Sequence, residues 1–599
     1  MVALEVKYKV YHTQTMIDSA VLKKINIPSL RPKQKEVIQY VERGESVLVL
    51  LPTGYGKSLC YQLPAIVQKK LTIVISPLLA LIKDQYEDLH SKGMLVEYYN
   101  SSLTLEEKNK VLGRLAKISI LFTTPESLLG SSNLLIAVQH LYDTNLIQRI
   151  VFDEAHCLST WGRAFRPSYQ EFGKYCRDEL RRVPITALTA TATKLVKKDI
   201  VSSLGLKETN IVEASMFRPN LKIEVMPRPT KKLMLSQIRD LVRTKECAII
   251  YSLSRKDCEQ YAKALNEIGV VCRPYHAGLS PEIRNNTQVM WKTGKIKLVV
   301  ATVAFGMGID KKNVGLVIHT SMPKNLDSYY QEIGRGGRDG GDCVCRMYYN
   351  YSDKIKLHNM LDTDTEYGVS ELNELYRMYR YCETECCRHQ IITTNYNNIN
   401  SISECDSCDN CKLGGERVKI DVTPEAKRIQ SIVLDFCQQT DQQFVPKTQL
   451  LKRLIKTHQL KKFTLHPELL LNRMITNNMI IEKIIKKGGN DYFTIMIGVS
   501  GSVYTKLMNG KMRWTMMVLN TRSPKIIDPS LLKELQEMRD QLAKKLNLRP
   551  YNVLPNKTLE LLAIQKPRDL RSACMIKGLK EKRWSMIEKD TLRIMKNYP

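Results

Sequence analysis

The 599 residues are 43% hydrophobic, enough for about three to five domains with their own cores and too apolar for a predominantly disordered chain. Lys and Arg number 91 against 61 Asp and Glu, a formal charge of +30 that suits a polyanionic partner, either nucleic acid or an anionic membrane surface. The opening MVALEVKYKVYHTQTMIDSA has no apolar core after a basic start, and no later stretch nears the roughly 18 uninterrupted apolar residues of a membrane helix, so the expectation is a soluble chain, neither exported nor membrane-spanning.

From about residue 46 to 352, short β-branched runs alternate with helical patterns. SVLVLL, LTIVIS, ISILFT, RIVF and PITALT come first, then CAIIYS, VVCRPY, KLVVAT and GLVIHT, the pattern of a doubly wound parallel sheet. About ten strands are too many for one such sheet, so two α/β lobes in tandem are expected, joined near Ser215-Met216-Phe217-Arg218-Pro219-Asn220, where turn residues gather. Beyond about 352 the strand alternation stops, and helices, a cysteine cluster and Lys-rich amphipathic segments take over.

Leu51-Pro52-Thr53-Gly54-Tyr55-Gly56-Lys57-Ser58 follows the run SVLVL and precedes a helical pattern, the setting of a phosphate-binding loop. Thr53, Gly54 and Gly56 let backbone N–H groups curl around phosphate oxygens, Lys57 reaches the β- and γ-phosphates of ATP, and Ser58 ligates Mg²⁺. Leu51 stands where the first glycine of that pattern is usual. Asp153-Glu154 ends the run RIVF, where a parallel sheet brings carboxylates beside the phosphate loop. Asp153 is assigned to Mg²⁺ and Glu154 to the attacking water. Directly after them, Trp161 and Phe165 beside Arg163 and Arg166 offer stacking faces for bases and charge for phosphates.

At the end of the second strand series, the segment from Gln331 to Gly340 holds Arg335 and Arg338 on a Gly-rich turn, spaced to project toward a cleft and meet the charge of phosphoryl transfer; Gln331 is grouped with the nucleotide-binding residues. Cys405, Cys408 and Cys411 supply three thiols at three-residue spacing, and tetrahedral Zn²⁺ needs a fourth, for which chemistry alone leaves Cys382, Cys386 and Cys387 open. The remaining cysteines, such as Cys60, Cys157, Cys247 and Cys272, are scattered singly through apolar segments and read as reduced thiols. Farther on, IIEKIIKKGGNDYFTIMI reads as a β-hairpin with a Gly-rich turn and Tyr492 just past it. In the last segment Leu531, Leu532, Leu535 and Met538 recur at helical spacing and read as core.

Taken in order, these segments resemble superfamily 2 helicases, and among them the RecQ family of DNA helicases, over nearly the whole chain. Leu30-Arg31-Pro32-Lys33-Gln34 is similar to the family's adenine-reading motif, which implies that Gln34 recognises the base and Arg31 supports it. The segment Ser76 to Gln85 looks like the strand-binding motif of the first lobe, Ala187 to Ala192 like the motif coupling hydrolysis to DNA contact, and Tyr251 to Arg255, Tyr275 to Gly278 and Ala301 to Lys311 follow in the family's order. The loop Cys157 to Pro167 is the most family-specific piece, although Thr160, Arg163 and Ala164 depart from the usual Gln, His and Asp; Gly336 replaces a usual Ala, with a mild effect expected.

The resemblance selects Cys387 as the fourth zinc ligand and implies ATP, Mg²⁺ and Zn²⁺ as cofactors. It also implies five domains: RecA-like lobes over 1–212 and 213–352, a zinc-binding subdomain over 353–415, a winged-helix domain over 416–518 and a helical HRDC-like domain over 519–599. Tyr492 would then stack on a terminal base pair, against the alternative of an aromatic packed on its own domain. The expected activity is ATP-driven 3′-to-5′ movement on single-stranded DNA with unwinding of forks and junctions, inside the cell and with the DNA, hence in the nucleus of a eukaryote. Protein partners are unknown from sequence. An RNA helicase and a DNA-annealing protein with a degenerate ATP site are the alternatives; His156 and the intact ATP-site residues speak against them.

Overall fold

The structure is a computed structural model that describes Leu22 and residues 29–68, 70–159, 166–207, 210–306, 311–362, 365–396, 403–412, 417–456, 467–487, 492–519, 529–567, 569–574, 576, 579 and 581–597. The first lobe is a seven-stranded parallel sheet of β1 (Val47–Leu50), β2 (Leu71–Ile75), β3 (Val96–Tyr99), β4 (Ile120–Thr123), β5 (Ile147–Phe152), β6 (Ile185–Thr189) and β7 (Ile211–Glu213). The order is β3-β4-β2-β5-β6-β1-β7. The central strands are buried on both faces because helices cover both, so β1 and β2 are dominated by Val, Ile and Leu, while β5 buries Arg149 within its run.

The second lobe repeats the plan with β8 (Leu221–Pro227), β9 (Ala248–Tyr251), β10 (Cys272–Tyr275), β11 (Leu298–Ala301), β12 (Leu316–His319) and β13 (Cys343–Tyr349), in the order β10-β11-β9-β12-β13-β8, all parallel. Two tandem parallel-sheet lobes were expected, but β3, β7, β8 and β13 were not among the runs read from sequence. The join is also shifted slightly: β7 runs to Glu213 and pairs with β1, one residue past the expected end of the first lobe.

Helices Tyr351–His358, Glu366–Glu383, Arg388–Asn395 and Asp409–Lys412 follow. Next come helices Thr423–Thr440, Lys447–Lys456 and Pro467–Thr476 with a small antiparallel sheet, in which Tyr492–Val499 pairs with both Val445–Pro446 and Ile480–Lys487. The hairpin read from sequence is present, closing at the pair Lys487 and Tyr492. Residues 1–414 and 420–517 group as one compact unit, and 415–419 with 518–599 as another. The second unit is built from five helices around Leu531, Leu535, Leu559, Leu562, Trp584 and Ile587, with Met538 buried and Leu532 packed against the cluster, as their spacing predicts.

Candidate ATP site and zinc centre

β1 and β5 are separated only by β6, so the loops after their C-terminal ends open side by side. The loop after β1 holds Gly54 at φ +81° and Gly56 at φ +87°, a backbone region that glycine enters without steric cost. Ser58 leads into the helix Leu59–Val67, and Lys57 Nζ donates to Leu51 O at 3.1 Å. Burial lowers the Lys57 pKa, while the carboxylates of Glu154 and Asp153 pull it back up.

Arg31 and Gln34 stand on this loop. Arg31 donates from NH1 to Gly54 O at 3.1 Å and lies over the Tyr55 ring, 5.0 Å from its centroid. Gln34 Nε2 donates to Tyr55 O and Gly56 O, both at 3.0 Å, and its Oε1 accepts from the Arg31 backbone N–H at 2.8 Å. The amide expected to read adenine is here bound to the backbone of the phosphate loop.

Asp153 is buried at the end of β5, its N–H bonded to Ile75 O at 2.9 Å. Tyr169, from the helix Pro167–Glu179, donates its hydroxyl to Asp153 O at 3.0 Å and so pins the strand end from behind. Glu154 adopts φ +52°, a left-handed conformation uncommon for a side-chain-bearing residue and concentrated at functional sites. His156 Nδ1 lies 3.3 Å from Glu154 Oε2 and 3.0 Å from Thr189 Oγ1, so it lies between the carboxylate pair and the C-terminal end of β6.

From the second lobe, the helix Leu326–Ile333, with Gln331 in its last turn, delivers the arginine segment. Gly334 packs against the first lobe: a Cβ there would sit 3.0 Å from Thr53 Cβ. Arg338 crosses to the phosphate loop, its Cγ 3.2 Å from where a Gly54 Cβ would be. Arg335 is buried beside Gly306, and its Nε has no hydrogen-bond partner among the described residues. The expectation that Gly336 is a mild replacement for Ala needs correction, because a Cβ at 336 would overlap the Cys343 sulfur.

A residue that the sequence reading passed over ties these parts together. Arg218, in the segment joining the lobes, donates from NH1 to Thr53 O (3.3 Å) and Gly334 O (2.8 Å), and from NH2 to Gly336 O and Gly337 O (both 2.7 Å). Asn220 Nδ2 adds bonds to Gly337 O and Gly341 O, both at 2.9 Å. One guanidinium thus holds the carbonyls of the phosphate loop and of the arginine segment together. The glycine cradle, Lys57, the unpartnered Arg335 nitrogen and the hard oxygens of Ser58 and Asp153 fit a Mg²⁺-nucleotide triphosphate.

Cys387, Cys405, Cys408 and Cys411 place their sulfurs within 4.8 Å of one another. The Cys405–Cys411 separation is 3.9 Å, against about 3.8 Å for the edge of a tetrahedron with Zn–S bonds near 2.3 Å. Backbone N–H groups point at the sulfurs, Cys408 N to Cys405 Sγ at 3.3 Å and Arg388 N and Cys411 N to Cys408 Sγ at 3.5 Å, as thiolates require. The geometry therefore picks Cys387 over Cys386, whose carbonyl instead accepts from Asn410 Nδ2. Arg388 pairs with Asp409 at 3.0 Å, and Asp409 Oδ2 accepts from Val225 N at 2.8 Å, fastening the centre to β8.

The residues expected to touch DNA divide three ways. Trp161, Arg163 and Phe165 lie outside the described residues, as do Thr160 and Ala164. Arg166 is half-buried and 3.6 Å from Glu126. Tyr492 begins the second strand of the hairpin. Ser76 is a correction: it is 0% exposed at the end of β2, and the same segment instead presents Leu79, Ala80 and Lys83 to solvent. Leu79 and Ala80 face Tyr275, Arg284, Gln288 and Val303 of the second lobe across a cavity of about 260 Å³, and Lys292 Nζ bridges to Asp84 at 2.8 Å between the same two lobes. No helix among the described residues is long and apolar enough to cross a membrane.

Four family profiles match the chain: DEAD/DEAH box helicase over 31–198, helicase conserved C-terminal domain over 231–340, RecQ zinc-binding over 351–412 and HRDC domain over 528–593. The "ATP-dependent DNA helicase Q-like 2" of Arabidopsis thaliana is 31% identical over 571 residues, covering 92% of this chain and 79% of that protein. The "RecQ-like DNA helicase BLM" of Xenopus laevis is 39% identical over 433 residues, 69% of this chain; the chain spans 32% of that much longer relative. Among solved structures, the DUF1998 helicase MrfA bound to DNA aligns with a TM-score of 0.48 at 21% identity, over 63% of this chain and 57% of that one.

Proposed function

The chain belongs to the RecQ family of DNA helicases, and on that premise we propose that it hydrolyses ATP to move 3′ to 5′ along single-stranded DNA and unwind duplexes, forks and junctions. The observation that carries this reading is the meeting of Lys57, Asp153 and Glu154 of one lobe with Arg338 of the other around a single phosphate-binding loop.

The glycine cradle and Lys57 would hold the triphosphate of the nucleotide, and Ser58 and Asp153 would hold Mg²⁺, which would supply positive charge to the phosphates. Glu154 orients the attacking water and takes its proton. Arg335 and Arg338 meet the charge that develops on the transferred phosphoryl group. Because those arginines belong to the second lobe, their grip on the phosphates closes the lobes, and hydrolysis releases them. Single-stranded DNA runs across both lobes past Leu79, Ala80, Arg284 and Gln288, so each closure shifts the grip along the strand. His156 carries the hydrolysis state to the C-terminal end of β6.

The domain division at 212/213, 352/353, 415/416 and 518/519 belongs to the same reading, with the four described helices and antiparallel hairpin of 416–518 as a winged helix whose Tyr492 meets the fork. Trp161, Arg163, Phe165 and Arg166 form the DNA-sensing loop, and the protein acts in the compartment that holds the DNA. Lys57→Ala tests the ATP site: DNA-stimulated ATPase should fall at least 100-fold, to about background, while DNA binding stays within about threefold. Retained turnover in that variant would remove Lys57 from the site.

A further inference from the structure

The zinc centre and the ATP site are joined by one side chain. His389 follows the ligand Cys387 by two residues, is 2% exposed, and has acceptor atoms against both ring nitrogens. Nδ1 lies 3.3 Å from Cys405 Sγ, and Nε2 lies 3.2 Å from the carbonyl oxygen of Arg218. The ring also meets Phe217 edge-on, with centroids 5.2 Å apart at 90°. Arg218 O also accepts from Leu221 N at 3.1 Å within the turn, and Met216 O accepts from the Tyr330 hydroxyl at 2.8 Å. Its most connected member is Arg218, whose guanidinium binds Thr53, Gly334, Gly336 and Gly337 through their carbonyls.

We infer that His389 is a positioning residue for ATP hydrolysis: by holding the backbone at Arg218 it sets where the arginine segment meets the phosphate loop, and so makes that meeting depend on a formed zinc centre. The inference rests on the ATP-site reading above. The physical step is short. A backbone fixed at its carbonyl orients the side chain that leaves the same residue, and this side chain makes four hydrogen bonds on two lobes. Losing the Nε2–H to carbonyl bond frees the joining segment to shift. Arg335 and Arg338 then reach the phosphates less well in the transition state, where their charge matters most. Nucleotide binding before hydrolysis depends on Lys57 and the glycine cradle of the other lobe and is little affected.

Side-chain length separates this role from simple support of the metal. Gln places its amide nitrogen near the position of Nε2, and Asn near that of Nδ1. The test compares His389→Ala, His389→Asn and His389→Gln in the full chain, measuring zinc content, DNA-stimulated kcat and KM for ATP, and the affinity for ADP with aluminium fluoride relative to ADP alone. In the Ala and Asn variants, kcat should fall about tenfold with KM within about twofold, and the preference for the aluminium fluoride complex should fall by a similar factor, with zinc content unchanged. His389→Gln should restore most of both. The inference is overturned if Ala and Asn keep wild-type kcat, if zinc content falls in step with activity in all three, or if Asn rescues and Gln does not. Lys57→Ala, run alongside, distinguishes failure of the ATP-site reading: turnover retained there removes that reading, whatever His389 does.

Discussion

Burial, then the charge of Glu154, pushes the Asp153 carboxyl up from an ordinary value near 3.8 to about 7, against the pull of the Lys57 ammonium. Since the folded value exceeds the unfolded one, the folded state binds this proton more tightly. The associated stability is complete below about pH 4 and is lost as pH rises toward 7. In metal-free protein, Asp153→Asn should therefore be more stable than wild type by roughly 1–3 kcal/mol at pH 8, with the gap closing toward pH 4. Urea unfolding in chelator at several pH values checks this, and a gap independent of pH would show that Asp153 is not held in a dry, charge-crowded site. Asp153, Lys57 and the two arginines were legible because each belongs to a short local pattern with a fixed chemical purpose. Arg218 was not, because every partner of its guanidinium is a backbone carbonyl more than 100 residues away, and a carbonyl leaves no mark in the sequence. Tyr169 escaped for the same reason. The choice of Cys387 over Cys386 needed either a family pattern or coordinates, since neighbouring residues differ only in where the backbone points them.

Most strands inside each sheet announced themselves, whereas of the edge strands β3, β7, β8 and β10 only β10 did. β3, β7, β8 and β13 have mixed burial along their length, as in Val96–Tyr99 and Cys343–Tyr349, so their sequences lack the continuous apolar run seen in the fully buried strands β1 and β11. Between elements, the contact that fixes the hairpin is equally silent in sequence. Glu482, on the strand Ile480–Lys487, pairs with Lys354 of the helix Tyr351–His358 at 2.5 Å, with both side chains at 0% exposure. Tyr351 donates its hydroxyl to the same carboxylate, and the Lys354 ammonium lies 4.8 Å from the Tyr351 ring centroid and 4.7 Å from that of Tyr376. Removing one partner leaves a buried, uncompensated charge. Glu482→Ala should cost about 3–5 kcal/mol, and Lys354→Met with Glu482→Leu much less. Denaturant unfolding distinguishes them; a loss under about 1 kcal/mol for Glu482→Ala would mean that water reaches the pair.

For the molecule as a whole, the proposed ATP site lies between two lobes, with Arg218 and the zinc centre at their border. The phosphate loop and carboxylates belong to the first sheet and the arginines to the second; Arg218 lies on the joining segment, and the zinc centre is fastened to both β8 and that segment. Such a chain can couple ATP to motion only by opening and closing the lobes, which is why separate motifs from distant parts of the sequence converge on one cleft. The tandem lobes and their order along the chain were readable from alternating strand and helix patterns. How they face each other was not, because interlobe contacts such as Lys292 with Asp84 join residues 208 apart through single half-buried side chains. The central claim is that this cleft drives strand separation on DNA. It is tested most directly by unwinding of 3′-tailed, 5′-tailed and blunt DNA duplexes and a matched RNA duplex, with and without ATP. The account predicts ATP-dependent unwinding of the 3′-tailed DNA in preference to the other three, whereas no unwinding with ATP, or equal unwinding of RNA and of 5′-tailed DNA, would contradict it.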